Sequence, residues 1–503
     1  MKQFSDPLNK AAERFFGAPY LFPYQRLVIT NILEAAGAAG IPFSGIGASP
    51  ATELEKTAGN AEDRETGGRQ IVVLPTGAGK SLCFQLPAVL LEGATLVIYP
   101  ILSLMADQER RLRERGLEPA VLRGGQSPEE RRSLWEKIRS GHSRFIIANP
   151  EVLLTPQMLK ILGTLHIVHT VIDEAHCVSE WGESFRPSYL AIPRIISAAK
   201  AKLVTAFTAT ASAPVLEKIG AYLFSGQGAR RIIGNPDRTN IRYTAQGCLL
   251  RDLAVRDLLL KRRRPALVFC ASRTGAETLA RYLRNELGDK EIRFYHAGLS
   301  REEKTAAEQW FFAQTRGILT ATCAYGMGVD KPDIRTVIHR DCPPSVEAYL
   351  QESGRAGRDG FPAQAVLLWG PDDEEKLARA KTEPEKLRLA RLFEYARNTG
   401  ECRRAILLSL LDYEGPPNVS GPECCDVCAQ SAKNALREEP SLREFFRRNP
   451  RRYTIAEASR TLARIEQFRW SREDAETAIL HLIKADTLKR LRGIFWKDKL
   501  TLR

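Results

Sequence analysis

One stretch constrains the fold of this chain more than any other: the apolar run from Ile71 to Leu74, a glycine-containing turn, and then Lys80 and Ser81. The apolar run predicts a buried strand, and the residues after Ser81 predict the start of a helix. Glycines in the turn let main-chain N–H groups close around a phosphate at the helix N-terminus. In such a loop the lysine reaches the β- and γ-phosphates, and the serine hydroxyl is placed to ligate Mg²⁺. The candidate nucleotide-binding residues of this loop are Thr76, Gly77, Ala78, Gly79, Lys80 and Ser81.

The first glycine of the standard P-loop pattern is missing, because Leu74 occupies its place, so an ordinary turn remains an alternative for the loop alone. A second feature lies about ninety residues further on, where the apolar run before Asp173 and Glu174 ends in these two acids. Mg²⁺ binding requires such an aspartate, and positioning of the attacking water requires such a glutamate. The two features in this order favour an NTPase.

The totals exclude several classes of protein. A chain of 503 residues is too long for one core and predicts three or four domains. No apolar run approaches the ~20 residues that span a bilayer, and the first ten residues lack the apolar segment of a secretory signal. We therefore expect a cytoplasmic protein with no membrane partner, in which the ten cysteines are free or bound to metal.

The net charge of +14 predicts a polyanionic partner. The excess is uneven, since residues 431–503 hold 18 Lys and Arg against 10 Asp and Glu. A generically basic surface is the alternative.

Strands and helices alternate along most of the chain, which is the pattern of doubly wound parallel sheets. Strands are predicted at 70–75, 94–99, 144–148, 168–173 and 202–207, and then at 266–270, 291–295, 317–320, 336–339 and 365–368. The fold class is therefore α/β, with two tandem doubly wound domains. Residues 38–68 are rich in small and polar residues and predict a flexible insertion.

Cysteines gather in one region after the second set of strands. Cys402, Cys424, Cys425 and Cys428 lie within 27 residues and suit a tetrahedral zinc ion, with free thiols as the alternative. Beyond them, helices are predicted near 441–448, 455–463 and 472–485, followed by a hairpin over 487–502. Helices followed by a hairpin indicate a small winged helix.

Taken together, these residues resemble the RecQ family of superfamily 2 DNA helicases, from about Phe15 to Cys428 and more weakly to the C-terminus. The stretches that are similar to the family's motifs are 75–83, 173–187, 208–211, 325–332 and 351–360. The resemblance implies two RecA-like domains with ATP between them. It also implies a small helical zinc-binding domain and a short winged helix.

The resemblance assigns roles to residues that match the family's motifs. It implies the catalytic set Lys80, Asp173, Glu174, His176, Arg355 and Arg358, with Ser81 and Asp173 on Mg²⁺. Arg355 and Arg358 would relieve charge at the γ-phosphate from the second domain. Gln25, Gly328 and Asp330 would complete the ATP site. Contacts to DNA would come from Trp181, Phe185, Arg186, Ser272, Arg273 and His296, largely without sequence preference. An ordinary core residue is the alternative for Trp181.

The chain departs from the family pattern in four places, one of which is the insertion at 38–68. Ala18 and Phe22 stand where the family has an aromatic residue and an arginine, and Tyr20 or Tyr24 is the candidate substitute for stacking on adenine. Cys424 and Cys425 are adjacent, a spacing that also occurs in the family. The C-terminal region is short for the family's winged helix, and we expect no further helical module.

The expected domains are 1–229 and 230–371 for the RecA-like pair, 372–432 for the zinc-binding domain and 433–503 for the basic winged-helix-like domain. The expected function is ATP-dependent unwinding of DNA, with 3′→5′ translocation, in repair and recombination. The expected protein is a monomer, associated with the nucleoid if bacterial, and candidate partners are a single-strand-binding protein and repair factors. Two alternatives stay open: an ATP-driven translocase that unwinds weakly, and a non-enzymatic DNA-binding regulator. RNA is the less expected substrate.

Overall fold

A computed structural model describes residues 6–44, 66, 68–75, 78–180, 187–209, 211, 213–234, 237–325, 331–411, 419–465, 470–492 and 495–503. The chain divides into two compact units, Met1–Pro236 with Leu411–Tyr413, and Asp237–Leu410 with Glu414–Arg503. Among the described residues, no helix is both long enough and apolar enough to cross a bilayer.

The first unit contains a seven-stranded sheet in which each pair of neighbouring strands is parallel. Its strands are β1 (Arg69–Val73), β2 (Ala94–Ile98), β3 (Ala120–Val121), β4 (Phe145–Ala148), β5 (Ile167–Ile172), β6 (Leu203–Thr208) and β7 (Arg230–Ile233). Its helices are α1 (Pro7–Phe16), α2 (Pro23–Ala38), α3 (Lys80–Leu90), α4 (Leu102–Arg113), α5 (Pro128–Arg139), α6 (Pro150–Leu153), α7 (Pro156–Leu162), α8 (Cys177–Glu180), α9 (Pro187–Leu190), α10 (Ile192–Ala199) and α11 (Ala213–Phe224). The spatial order is β3-β4-β2-β5-β6-β1-β7.

The central strands of this sheet are buried along their whole length, because helices cover both faces. Alternate residues of β1 enter different cores, Val72 with α1 and α2 and Ile71 with the helices of the other face. The apolar runs of the sequence follow from this double burial.

The second unit begins with a six-stranded parallel sheet of order β10-β11-β9-β12-β13-β8. Its strands are β8 (Ile241–Gly247), β9 (Ala266–Phe269), β10 (Arg293–Tyr295), β11 (Ile318–Ala321), β12 (Thr336–His339) and β13 (Ala363–Trp369). The helices of this part are α12 (Arg251–Lys261), α13 (Arg273–Leu287), α14 (Arg301–Ala313) and α15 (Val346–Ser353).

The rest of the second unit is helical up to a short hairpin. It contains α16 (Pro371–Ala378), α17 (Glu383–Arg397), α18 (Arg403–Ser409), α19 (Glu439–Arg448), α20 (Ile455–Leu462), α21 (Arg472–Lys484), β14 (Leu488–Arg490) and β15 (Leu500–Leu502). One continuous apolar core joins one face of the second sheet to these helices, from Leu267 through Leu392 to Ile479. The C-terminal segment therefore shares a core with the second sheet.

The α/β class and the two parallel-sheet domains predicted from the sequence are confirmed. Each strand predicted there is present with small shifts at its ends, and three further strands (β3, β7 and β8) were not predicted. The sequence ends the first domain at 229, but β7 pairs with β1, so the first sheet continues to Ile233. Strands β14 and β15 pair as the predicted hairpin, although β15 is only three residues long. Most of the predicted insertion at 38–68 lies outside the described residues.

Candidate functional site

The phosphate loop lies between β1 and α3 at the carboxyl edge of the first sheet. Leu74 N donates to Thr208 O (3.0 Å), which ties the start of the loop to the end of β6. Gly79 has a φ of +72°, and helix α3 begins at the next residue, Lys80. This left-handed φ favours glycine, and a Cβ there would lie 2.5 Å from Gln25 Nε2, so the Gln25 side chain would also have to move. Thr76 and Gly77 are outside the described residues.

Four of the predicted catalytic residues come together beside this loop. Asp173 follows β5 directly and is buried, and its Oδ1 accepts from Glu174 N (2.9 Å). The Glu174 carboxylate lies between two cationic or ionisable groups, Lys80 Nζ at 3.3 Å from Oε1 and His176 Nδ1 at 3.4 Å from Oε2. His176 Nδ1 also lies 3.0 Å from Thr208 Oγ1 at the end of β6. The parallel strands thus bring an acid pair, a lysine and a histidine to one edge.

This arrangement disfavours the charged form of Asp173. Burial, and then the negative charge of Glu174, raises the pKa of Asp173 to about 6, although Lys80 opposes the shift. A bound divalent cation would remove this penalty, because a cation favours the carboxylate form. The side chains of the site therefore neutralise its negative charge only in part, and a bound cation would complete the neutralisation.

Sequence reasoning missed two buried glutamines that hold the predicted Mg²⁺ ligand Ser81. Gln108 on α4 donates from Nε2 to Ser81 Oγ (3.4 Å), and Gln85 on α3 donates to Gln108 Oε1 (2.8 Å). Both glutamines are almost fully buried. Their signal in the sequence is a polar side chain at a core position of an otherwise apolar helix face, which is uncommon without a specific partner.

Gln25 contacts the phosphate loop directly. Its Nε2 donates to Ala78 O (2.8 Å), and its Oε1 accepts from Phe22 N (3.0 Å). The neighbouring aromatic rings form a small cluster, in which Phe22 stacks on Tyr24 with ring centroids 5.6 Å apart and Tyr20 meets Phe22 edge-on. Tyr20 and Phe22 are exposed, and their rings are free of core packing. Phe22 is thus part of the aromatic surface beside Gln25, together with the predicted substitutes.

In the second unit, one arginine holds the loop that carries Arg355 and Arg358. Arg238 donates to three carbonyl oxygens of that loop, those of Gly354 (2.9 Å), Ala356 (3.0 Å) and Gly357 (2.9 Å). Arg355 itself is buried. The loop conformation is therefore fixed by a guanidinium from the segment that precedes β8.

A second guanidinium connects that segment to the cysteines. Arg404 is fully buried, pairs with Asp237, and donates to Arg238 O (2.8 Å) and Ile241 O. Its Nε also donates to Cys424 Sγ (3.4 Å). A chain of contacts thus runs from the cysteine cluster through Arg404 and Arg238 to the Arg355 loop. The sequence does not reveal the roles of Arg238 and Arg404. In the sequence, Arg404 and its neighbour Arg403 resemble a pair of charged surface residues.

The four cysteines form the predicted cluster. The Sγ atoms of Cys402, Cys424, Cys425 and Cys428 all lie within 4.8 Å of one another. Cys402 Sγ is 3.5 Å from Cys424 Sγ and 4.0 Å from Cys425 Sγ. Tetrahedral zinc with Zn–S bonds of about 2.3 Å requires sulfur atoms about 3.8 Å apart. The thiols present therefore fit a zinc ion, and no carboxylate or histidine is needed.

The predicted DNA contacts of the second unit lie at the carboxyl ends of β9 and β10. Ser272 caps α13, its Oγ accepting from Gly275 N (3.0 Å), and Arg273 begins that helix. His296 is buried, with Nε2 2.8 Å from Glu277 Oε1. A Cβ at Gly298 would lie 3.2 Å from both Arg273 Nη1 and His296 Nδ1, so these side chains converge on that glycine. The other predictions, Trp181, Phe185, Arg186, Gly328 and Asp330, lie outside the described residues.

Two family models match the chain. The model described as DEAD/DEAH box helicase matches residues 57–219, and the model described as helicase conserved C-terminal domain matches residues 250–360. The first match contains strands β1 to β6 of the first sheet, and the second contains strands β9 to β12 of the second sheet.

Curated relatives match over most of the chain. The ATP-dependent DNA helicase RecQ of Pasteurella multocida (strain Pm70) is 35% identical over 376 residues, which cover 73% of this chain and 58% of the relative. The probable ATP-dependent DNA helicase RecS of Bacillus subtilis (strain 168) is 38% identical over 316 residues, which cover 62% of each protein. The chain spans about three fifths of the length of the first of these relatives.

Solved structures share the fold at low sequence identity. The DEAD-box helicase Mss116 bound to ssRNA and UDP-BeF superposes with a TM-score of 0.55 at 17% identity and covers 94% of both chains. The DUF1998 helicase MrfA bound to DNA gives a TM-score of 0.52 at 19% identity and covers 79% of this chain and 57% of its own.

Replacing Asp173 by Asn is expected to stabilise the protein in the absence of divalent cations. The pKa of about 6 in the folded state lies above the ordinary 3.8, so the folded protein loses stability as pH rises between these two values. Asparagine cannot ionise, and the gain in stability should be largest above pH 7 and shrink as pH falls below about 6. Urea unfolding at several pH values in EDTA measures it. The exposed carboxylate of Glu118, changed to Gln, is the control, and a gain independent of pH would contradict the assignment.

One zinc ion per chain is expected by elemental analysis, and Cys428→Ser should lower both zinc content and unfolding temperature. Zinc binding contributes directly to folding free energy, so loss of a ligand weakens the packing around α18 as well. The exposed thiol of Cys323, changed to Ser, should leave zinc content unchanged. A folded wild-type chain without zinc would refute the metal assignment.

Proposed function

Because this chain belongs to the RecQ family of superfamily 2 helicases, we propose that it hydrolyses ATP to move along single-stranded DNA and separate duplex DNA. The observation that carries the proposal is the group formed by Lys80, Asp173, Glu174 and His176 beside the phosphate loop. Phosphoryl transfer needs a lysine on the phosphates, a carboxylate for Mg²⁺ and a second carboxylate for the attacking water. The site contains one side chain for each need.

The ion pair between Lys80 and Glu174 suggests how substrate prepares this site. The ammonium group of Lys80 lies 3.3 Å from Glu174 Oε1. Phosphate oxygens of ATP compete for the same ammonium group, so binding transfers Lys80 from Glu174 to the substrate. Glu174 then becomes available to orient and deprotonate a water molecule, with His176 next to it.

Mg²⁺ would supply charge neutralisation on the phosphates, and Ser81 and Asp173 are the residues that would hold it. Asp173 must lose its proton to bind the ion. Because its pKa is raised to about 6, its affinity for Mg²⁺ should increase as the pH rises through that value. Gln108, supported by Gln85, keeps the Ser81 hydroxyl oriented. These two glutamines are positioning residues in this proposal.

Arg355 and Arg358 are proposed to stabilise the transition-state charge. Such arginines contribute roughly 10³–10⁵ in rate in related phosphoryl-transfer enzymes. Their loop depends on Arg238 and, through Arg404, on the cysteine cluster. Zinc is therefore proposed to act structurally, by fixing the frame on which the arginine loop rests.

For DNA, we propose sequence-independent binding of a single strand at the carboxyl ends of β9 and β10. Arg273 would contact phosphate there, while His296 and Ser272 organise the backbone around it. Trp181, Phe185, Arg186, Gly328 and Asp330 keep the roles expected from their motifs. Translocation 3′→5′ and work in DNA repair and recombination are proposed from the family.

Lys80→Ala is expected to lower DNA-stimulated ATP hydrolysis by at least about a hundredfold, the usual size of the loss when a transition-state contact is removed. DNA affinity should be retained, because Lys80 lies in the nucleotide site. Lys160→Ala, at an exposed position of α7, is the matched control and should hydrolyse ATP normally. Steady-state phosphate release with and without a DNA oligonucleotide measures both. Equal turnover by Lys80→Ala, or no DNA stimulation of the wild type, would contradict the proposal.

A further inference from the structure

An arginine-lined cavity lies at the opposite edge of the second sheet from the proposed DNA contacts. Its volume is about 460 Å³, and its wall consists of Leu259, Leu260, Arg262, Arg263, Arg264, Arg316 and Arg335. The arginines directly precede β9, β11 and β12, so they mark the amino ends of three adjacent strands. Because Ser272 and Arg273 follow β9, a strand of about 13 Å separates the two places.

Only part of this positive charge is neutralised by the protein. Arg335 pairs with Asp359, and Arg264 lies 3.5 Å from Asp289. Arg262, Arg263 and Arg316 form no ion pair within the described ranges of the chain. Burial, and then the charge of Arg242, holds the pKa of Arg262 below its ordinary value. The fold thus keeps several unneutralised cations close together.

Hydrogen bonds connect the two backbone segments that carry Arg263 and Arg335. Arg263 O accepts from Thr336 Oγ1 (2.7 Å), and Pro265 O accepts from Arg335 N (2.9 Å). The partial negative charge at the C-terminus of α12 favours a cation at Arg262, but Arg316 belongs to a different segment. A helix end therefore does not explain the cluster.

A second cavity, of about 410 Å³, adjoins the first and shares Arg262 with it. Its wall adds Arg242 from β8, Lys433 and Arg437. Arg437 pairs with Asp257, whereas Lys433 forms no ion pair with any residue that the structure describes. Arg263, Arg316, Arg262, Arg242 and Lys433 thus line two adjoining cavities, and we refer to these five residues as the basic track.

We propose that the basic track binds the phosphate backbone of a second DNA segment, beyond the single strand at the carboxyl edge. This inference rests on the proposed function. Guanidinium groups match phosphate oxygens in pairs, and separate cations along two adjoining cavities match a chain of phosphates better than a single anion. No aromatic side chain lines either cavity in the described part of the chain, so no base stacks there and binding is independent of sequence.

The test is the double variant Arg263→Glu with Arg316→Glu, measured in the 503-residue chain. Neither side chain is in an ion pair with a residue that the structure describes, so the fold should persist. Affinity for a long forked DNA should fall at least tenfold, and the slope of log affinity against log salt should become shallower by about 2. Hydrolysis of ATP stimulated by a short single strand should stay at the wild-type rate, since that strand occupies only the carboxyl edge.

Two further variants make the result specific. Arg132→Glu with Arg139→Glu changes the net charge equally at exposed positions of α5 and should bind forked DNA like the wild type. The single variant Lys433→Glu changes the other end of the basic track and should weaken fork binding in a chain that keeps Arg263 and Arg316. It tests the basic track independently if the double variant unfolds.

Equal fork affinity in the wild type and both track variants would overturn the inference. A second outcome would also overturn it: a polyglutamate peptide binds the wild type but not the double variant, and the two proteins have equal affinity for the fork. The basic track would then bind an acidic protein. The fork affinities are measured without ATP. Absence of DNA-stimulated hydrolysis in the wild type would refute the proposed function and leave this measurement intact.

Discussion

In the second unit, the buried guanidinium of Arg404 connects the cysteine cluster to the segment before β8. A fully buried cation is tolerated only when each of its donors finds a partner, and removal of one partner of such a pair costs about 3–5 kcal/mol. Arg404 meets this demand with Asp237, two main-chain carbonyls and the sulfur of Cys424. The segment before β8, the cysteine cluster and α18 must therefore form together, and Arg238 extends the same frame to the Arg355 loop.

The first unit shows the opposite electrostatic situation. There, the carboxylates of Asp173 and Glu174 lie close together at the end of β5, with Lys80 beside them. Ionisation of Asp173 is therefore unfavourable, and its pKa is raised. Strain of this kind is typical of sites that await a charged ligand, because the ligand restores the balance. The basic track shows the same imbalance with the opposite sign. The buried charge of Arg404, which is neutralised, thus holds the Arg355 loop in place. The charges at Asp173 and in the basic track are neutralised only in part, and these are the candidate binding sites.

Much of the architecture could be predicted from the sequence, because strands buried on both faces of a parallel sheet need uninterrupted apolar runs such as Ala94–Ile98. The strands that were missed are short or lie at sheet edges; β7 begins with two arginines and has no such run. The spacing of the cysteines in the sequence predicted their cluster. The role of Arg404 was not predicted, because a buried arginine and a surface arginine cannot be distinguished in the sequence. The basic track combines residues from four separate segments, which only the folded chain brings together.

The most direct test of ATP-driven DNA unwinding compares displacement from two duplexes that differ only in their single-stranded tail, one 3′ and one 5′, with ATP and Mg²⁺. We expect displacement of the 3′-tailed duplex and none of the 5′-tailed duplex, with no displacement when ATP is omitted. Displacement from the 5′ tail alone would contradict the proposed direction. Vigorous DNA-stimulated hydrolysis without displacement from either tail would contradict unwinding itself and favour a translocase.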